Sequence, residues 1–92
     1  MLKVRFSASF KKDYRRIQRK GYDMNLLDTA VLLLMRDSTL PPQYRDHQLT
    51  GNYRSFRKCH ITPDWLLIYA IEKEELILCL SRTGTHSDLF KL

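Results

Sequence analysis

Apolar and polar positions alternate from Leu2 to Phe6 (Leu2, Lys3, Val4, Arg5, Phe6), a period of two that predicts a short strand. The period then lengthens. Ser7 is placed to cap a helix from Ala8 to Lys20, where Phe10, Tyr14 and Ile17 recur at i, i+4 and i+7 as the expected buried stripe. Gly21 suits the left-handed residue that ends such a helix. Asp23 is placed to cap a second helix, Met24 to Asp37, with Leu27, Val31 and Leu34 as its stripe. Leu26, Ala30, Leu33 and Met35 widen that stripe, so burial on more than one side is expected. The short loop between the two helices makes a helical hairpin. Pro41 and Pro42 stop it, because neither can continue a helix, and the polar stretch Gln43–Asn52 reads as loop.

Three further strands follow at about Tyr53–Ile61, Trp65–Ile71 and Glu75–Ser81. Thr62-Pro63-Asp64 and Glu72-Lys73-Glu74 are short enough to turn antiparallel hairpins. Trp65–Ile71 is apolar at almost every position, which marks a central strand covered on both faces. Thr83-Gly84-Thr85 turns the chain again, and Leu89-Phe90 can tuck back as an apolar anchor. The order β-α-α-β-β-β predicts an α+β fold, an antiparallel sheet of about four strands packed against an N-terminal helical hairpin. A chain of 92 residues suits one domain, residues 1–92, with one sheet and one helical layer.

Charge sharpens this picture. The formal net charge is +6 and the sequence pI about 9.6, which points to a polyanionic partner or to a plainly solvated basic surface. Residues 1–20 hold eight of the sixteen Lys and Arg residues against one acid, Asp13, so Lys11, Lys12, Arg15 and Arg16 are candidate phosphate contacts. MLKVRFSASFKK carries charge where a secretion signal needs an apolar run. The apolar runs Ala30–Met35 and Trp65–Ile71 are too short to cross a bilayer. With two cysteines and no secretion signal, a reducing, cytoplasmic location is expected.

The candidate chemistry gathers between Asp46 and Tyr69, DHQLTGNYRSFRKCHITPDWLLIY, and in SRTGTHSDLF near the end. All three histidines, His47, His60 and His86, lie in the C-terminal half. Cleaving RNA takes a base for the 2′-hydroxyl proton, an acid for the departing 5′-oxygen and cations for the charge on the phosphorane. Histidine titrates near neutrality and suits both proton transfers. Arg82 and Arg57 offer forked guanidinium groups for phosphate. Trp65, Tyr53 or Phe90 could stack on an unpaired base.

On the expected hairpins, His60 ends one strand and Asp64 follows across the turn. Arg82 ends the last strand, His86 follows Gly84, and His47 lies in the loop leading into the sheet. One end of the sheet can collect them all. Plainer readings stand beside these: Trp65 as core, Phe90 as packing, Arg57 and Lys58 as a solvated strand side, and Asp64 as a turn residue after Pro63. Cys59, His60, Cys79 and His86 lack the spacing of a zinc cage, and neighbours on a strand point to opposite faces. No metal and no cofactor are therefore expected, and the cysteines read as small buried groups.

These blocks (DH-x-L-x-G, R-x-x-H followed by PDWLLIY, and HSDLF), in this order and spacing, resemble the YafQ branch of the RelE/ParE toxin superfamily along essentially the whole chain. The resemblance implies a RelE-like fold and a toxin of a type II toxin–antitoxin system. It further implies a ribosome-dependent endoribonuclease (mRNA interferase) that cuts mRNA in the ribosomal A site by metal-independent acid and base chemistry. His47, His60, Asp64 and His86 match the proton-transfer and positioning set. Arg82 matches the phosphate-stabilising arginine, and Phe90 the aromatic near the scissile base. His86 as acid with His60 or Asp64 as base is the working assignment. The implied partners are mRNA on the ribosome, ribosomal RNA at the basic first helix, and an acidic antitoxin of RelB or DinJ type. No membrane is implied. Lys58 stands where the family more often has an acid and is expected to lower the pKa of His60. The alternatives are a ParE-like inhibitor of DNA gyrase on the same fold and a non-catalytic RNA-binding domain.

Overall fold

The computed structural model describes residues 1–90. Ser7 starts helix α1, Ala8–Arg19, as expected: its Oγ accepts from the Phe10 N–H at 2.9 Å. The same hydroxyl donates to the Ser81 carbonyl at 2.8 Å, so the cap also ties the helix to the last strand. At the other end Gly21, at φ +84°, donates to the Gln18 carbonyl and Tyr22 to that of Ile17, the paired bonds of a Schellman cap. Asp23 caps helix α2, Met24–Met35, by accepting from the Asn25 N–H.

Both helices differ from expectation in what they bury. On α1 the buried residues are Phe10, Asp13 and Ile17, while Tyr14 is only half-buried. On α2 they are Leu27, Ala30 and Leu34; Leu26 and Leu32 stay more than 40% exposed, at 43% and 42%. The hairpin covers one side of a single sheet, so α2 has only one face to bury.

The sheet has five strands in the order β1-β5-β4-β3-β2 and is mixed, where about four antiparallel strands were expected. Strand β1, Lys3–Phe6, pairs in parallel with β5, Ile77–Gly84, from Lys3 opposite Ile77 to Phe6 opposite Leu80. Alternation marks a strand but does not name its partner. The additional strand, β2, is only His47–Gln48, inside the polar stretch read as loop, and pairs with Lys58 and Arg57 of β3, Arg57–Thr62. Tyr53 belongs to a 3-10 turn, Gly51–Tyr53, so β3 begins later than predicted. Strand β4, Trp65–Glu72, is central and antiparallel to both β3 and β5. Beyond Glu72 the turn runs through Leu76 at φ +57°, which delays the start of β5 and carries it on to Gly84.

The pairing register decides which residues share a face. Cys59, Leu67 and Thr83 lie across from one another, and with Trp65, Tyr69, Leu78 and Leu80 they are buried toward the helices. Tyr69 opposes Leu80 and Ile68 opposes Arg82, so Ser81 is an extra residue, a bulge that flips the alternation of β5. Leu80 and Thr83 therefore both face the helices while Arg82 does not. The opposite face carries the rows Lys58–Ile68–Arg82 and His60–Leu66–Gly84. A short helix, α3, His86–Phe90, lies over it, with His86 beside His60 and Phe90 beneath Lys58.

Candidate active site

The second face collects most of the residues expected to act. The His60 and His86 rings are tilted toward each other with centroids 5.9 Å apart, and the His86 and Phe90 rings are 6.3 Å apart. Asp64 follows the β3–β4 turn, and its Oδ1 lies 3.7 Å from Nδ1 of His86. Lys58 Nζ sits 5.5 Å from the centre of the Phe90 ring, a cation–π contact that helps seat α3. His47 pairs opposite Lys58 and so borders the same face from β2.

Hydrogen bonds fix which imidazole nitrogens are free. His60 Nδ1 lies 3.3 Å from the Pro63 carbonyl and His47 Nδ1 2.8 Å from that of Arg45. A carbonyl only accepts, so each Nδ1 carries the proton and each Nε2 presents a lone pair in the neutral ring. Partial burial lowers the pKa of His60; the Pro63 carbonyl opposes the shift, and the charges of Lys58 and Arg45 add to it. Lys58 thus acts in the direction expected, but burial is the larger cause. The outcome is a neutral His60 with an unprotonated Nε2 at neutral pH, the form a general base needs.

Arg82 is held from the far side. Its Nε donates to Asp13 Oδ2 at 2.7 Å and its Nη2 to Oδ1 at 3.2 Å, which raises the guanidinium pKa. The side-on fork is occupied and the end-on fork remains for a ligand. Asp13 was missed as a site residue. The available signal was its place between Phe10 and Ile17 on the apolar stripe, where an acid needs partners to be buried.

Three other candidates are placed differently from expectation. Trp65 is 1% exposed, and its Nε1 donates to Thr83 Oγ1 at 2.8 Å among core residues, so it cannot stack on a base. Arg57 lies on the helix side of β3, in register with Tyr69, and donates through Nε and Nη2 to Asp46 Oδ2. The Tyr69 hydroxyl donates to the other Asp46 oxygen. Arg57, Asp46 and Tyr69 form a clamp on the helix side of the sheet, away from the histidines. Arg16 turns inward to Asp13, 3.2 Å away, and to Asp88 at 3.6 Å, while Lys11, Lys12 and Arg15 stay exposed.

Cys59 is fully buried and its thiol is pushed up to about 12 by that burial, which makes it inert. Among the described residues no group of three or more His, Cys, Asp or Glu side chains is arranged to hold a metal ion. No helix among them is long and apolar enough to cross a membrane. A concavity of about 590 Å³ lies away from the histidines, between α1 and α2, where Phe6, Phe10, Tyr14, Val31 and Leu32 meet Lys11, Arg15 and Asp28.

A helical hairpin on one face of a small mixed sheet, with histidines, a carboxylate and an arginine gathered on the other, is the architecture of a RelE-like toxin. Comparison with known proteins narrows the class. The family described as the bacterial toxin of type II toxin–antitoxin system, YafQ, matches residues 2–91. The mRNA interferase toxin YafQ of Escherichia coli K12 is 38% identical over 88 residues, 95% of this chain and 94% of that one. The crystal structure of a metal-bound toxin from Helicobacter pylori has a TM-score of 0.92 at 43% identity, covering 98% of this chain and 100% of that chain. The E. coli DinJ–YafQ complex gives 0.89 at 36% identity, with 98% and 99% covered. The chain belongs to the YafQ family of bacterial toxins.

Proposed function

We propose that this protein is an mRNA interferase, an endoribonuclease that cuts mRNA on the ribosome and is restrained by a cognate antitoxin. The observation that carries the reading is the His60–His86 pair: two imidazoles 5.9 Å apart in different settings, one half-buried and neutral, the other beside a carboxylate. That asymmetry suits one base and one acid.

In the proposed reaction His60 Nε2 takes the proton of the 2′-hydroxyl as that oxygen attacks the adjacent phosphorus. His86, as the imidazolium, gives a proton to the 5′-oxygen as the P–O5′ bond breaks, leaving a 2′,3′-cyclic phosphate and a 5′-hydroxyl. Asp64, whose Oδ1 lies 3.7 Å from Nδ1, faces that ring as an anion while the ring carries the proton. The end-on fork of Arg82 meets the charge that builds on the phosphorane, where a pre-positioned cation contributes most. Phe90, 37% exposed, offers a ring to the base next to the scissile bond, and His47 contacts the same strand of RNA from the rim. No step needs a metal. Lys11, Lys12 and Arg15 meet ribosomal RNA through phosphate attraction.

The antitoxin is an acidic chain. The groove between α1 and α2 is apolar at its floor, with Lys11 and Arg15 against the single acid Asp28 at its margin, and suits an amphipathic segment of it with a net negative charge. Structures of the E. coli relative with DinJ support a protein partner of this kind.

The test is cleavage of a defined mRNA on purified ribosomes, read by primer extension, for wild type and for His60→Ala with His86→Ala. In-frame cuts by wild type alone are expected, together with intact message when ribosomes are omitted. Growth arrest with intact mRNA and inhibited DNA supercoiling would move the reading to a gyrase inhibitor.

A further inference from the structure

We propose that Asp13 is a positioning residue of this site: from α1 it fixes the Arg82 guanidinium and ties it to the turn that carries His86. The proposal rests on the assignment of Arg82 to the phosphate. Asp13 is 2% exposed, yet it is an acid on the apolar stripe of a helix. Burying a carboxylate is costly, and a well-packed apolar residue at such a place is often no less stable. Its presence therefore points to a need for geometry.

That geometry is fully used. Oδ2 accepts from Arg82 Nε at 2.7 Å and from the Thr83 N–H at 3.1 Å; Oδ1 accepts from Arg82 Nη2 at 3.2 Å and lies 3.2 Å from Arg16 Nη1. Strand β1 ends opposite Leu80, so among the described residues the outer edge of β5 has no strand partner beyond that point. Ser7 takes the Leu80 and Ser81 carbonyls, and Asp13 takes the Thr83 N–H, so α1 completes the ladder where β1 stops. The Thr83 hydroxyl in turn accepts from Trp65 Nε1 and donates to the Leu66 carbonyl.

Arg16 extends the network to Asp88 at 3.6 Å, and Asp88 accepts from the Thr85 N–H at 3.1 Å, just before His86. One carboxylate thus sets both the direction of the phosphate-binding cation and, through Arg16, the turn that begins α3. A guanidinium held side-on loses little further freedom when its end-on fork takes a phosphate.

Asp13→Asn keeps the size of the side chain and removes its charge. Its circular-dichroism spectrum should match wild type, and half-saturation with programmed ribosomes should stay within about twofold. Single-turnover cleavage should fall roughly 10- to 100-fold, the loss expected from a misplaced catalytic group. In an Arg82→Ala background the same change should cost less than about twofold, because its route of action is gone. The Arg82 Nε–H resonance in a ¹⁵N spectrum of wild type should exchange slowly, and quickly in Asp13→Asn, whatever the protein cleaves.

Undiminished cleavage by Asp13→Asn, an undiminished effect in the Arg82→Ala background, or a rapidly exchanging Nε–H in wild type overturns the proposal. If wild type cuts no mRNA while the Nε–H is protected, the RNA reading falls and the fixation of Arg82 by Asp13 stands. Should Asp13→Asn fail to fold, Arg82→Lys keeps the charge without the fork. It should lose cleavage with unchanged ribosome half-saturation, and full activity in it overturns the proposal.

Discussion

Replacing Gly84 by alanine puts one carbon into the tightest point of the α1–β5–α3 junction. Gly84 stands at φ +153°, where side chains are rarely found, and a Cβ built there meets Arg16 Nη2 at 2.9 Å and Asp88 Oδ2 at 3.1 Å. The backbone strain is worth roughly 1–3 kcal/mol. Pushing Arg16 aside also loosens its hold on Asp88, a partly exposed pair contributing roughly 0.5–1 kcal/mol. The sum is about 1.5–4 kcal/mol, or a fall in Tm of roughly 6–30 °C for a chain of this size. That is a large part of the roughly 5–14 kcal/mol expected for such a domain, but it leaves a folded protein. Gly21→Ala is the control, because Gly21 also has positive φ, +84°, but nothing lies within 4 Å of its Cβ position. It should cost only the conformational part, about 1–2 kcal/mol. Urea unfolding followed by circular dichroism gives both values, and cleavage measured well below both midpoints gives the functional effect. Gly84→Ala should also cleave more slowly, since Arg16 and Asp88 hold the turn before His86. A Gly84→Ala protein no less stable than Gly21→Ala, and fully active, would refute the tight junction.

Four further outcomes follow from charge. The folded pKa of His60 lies below the ordinary imidazole value of 6.5, so the unfolded chain takes up that proton first. Stability is therefore complete above 6.5 and falls as the pH drops from there through the lowered folded value. His60→Gln should remove that slope from a urea-midpoint series. Lys58→Ala should move the His60 titration upward in an NMR series, because one of the charges that lowers it is gone. Neutralising Lys11, Lys12 and Arg15 together should weaken ribosome binding and flatten its log–log salt dependence by about 0.7–0.9 for each phosphate left unneutralised. Arg16→Gln should instead lower Tm and leave that slope unchanged, since Arg16 faces Asp13 and Asp88.

Much of this arrangement was legible in the sequence because it is local. The Ser7, Gly21 and Asp23 caps, both helices and the three C-terminal strands each follow from a few neighbouring residues. The convergence of His60, Asp64 and His86 followed from where the turns fall. What escaped depends on partners far along the chain. The parallel pairing of β1 with β5 joins residues over seventy positions apart, and β2 exists only because β3 offers an edge to His47 and Gln48. Trp65 and Arg57 have the right chemistry for RNA but point to the helix side, and facing is set by register and by the Ser81 bulge. Asp13 escaped because an acid among basic residues reads as solvated; only the fold reveals that α1 must complete the edge of β5.

The distribution of charge also separates the basic residues that build the site from those that stay on the surface. The acids at the junctions are spent on particular cations: Asp13 on Arg82 and Arg16, Asp88 on Arg16, and Asp46 on Arg57. The basic density of α1 is thereby divided. Arg16 is drawn inward to build the site, while Lys11, Lys12 and Arg15 remain on the surface. A uniformly solvated basic helix would carry as much charge, but it could not tie Arg82 to the helix that bears it. Here α1 holds Arg82 through one buried carboxylate while Lys11, Lys12 and Arg15 stay on its surface. A protein that covered the outer face of α1 would therefore sit on the same element that holds Arg82 through Asp13.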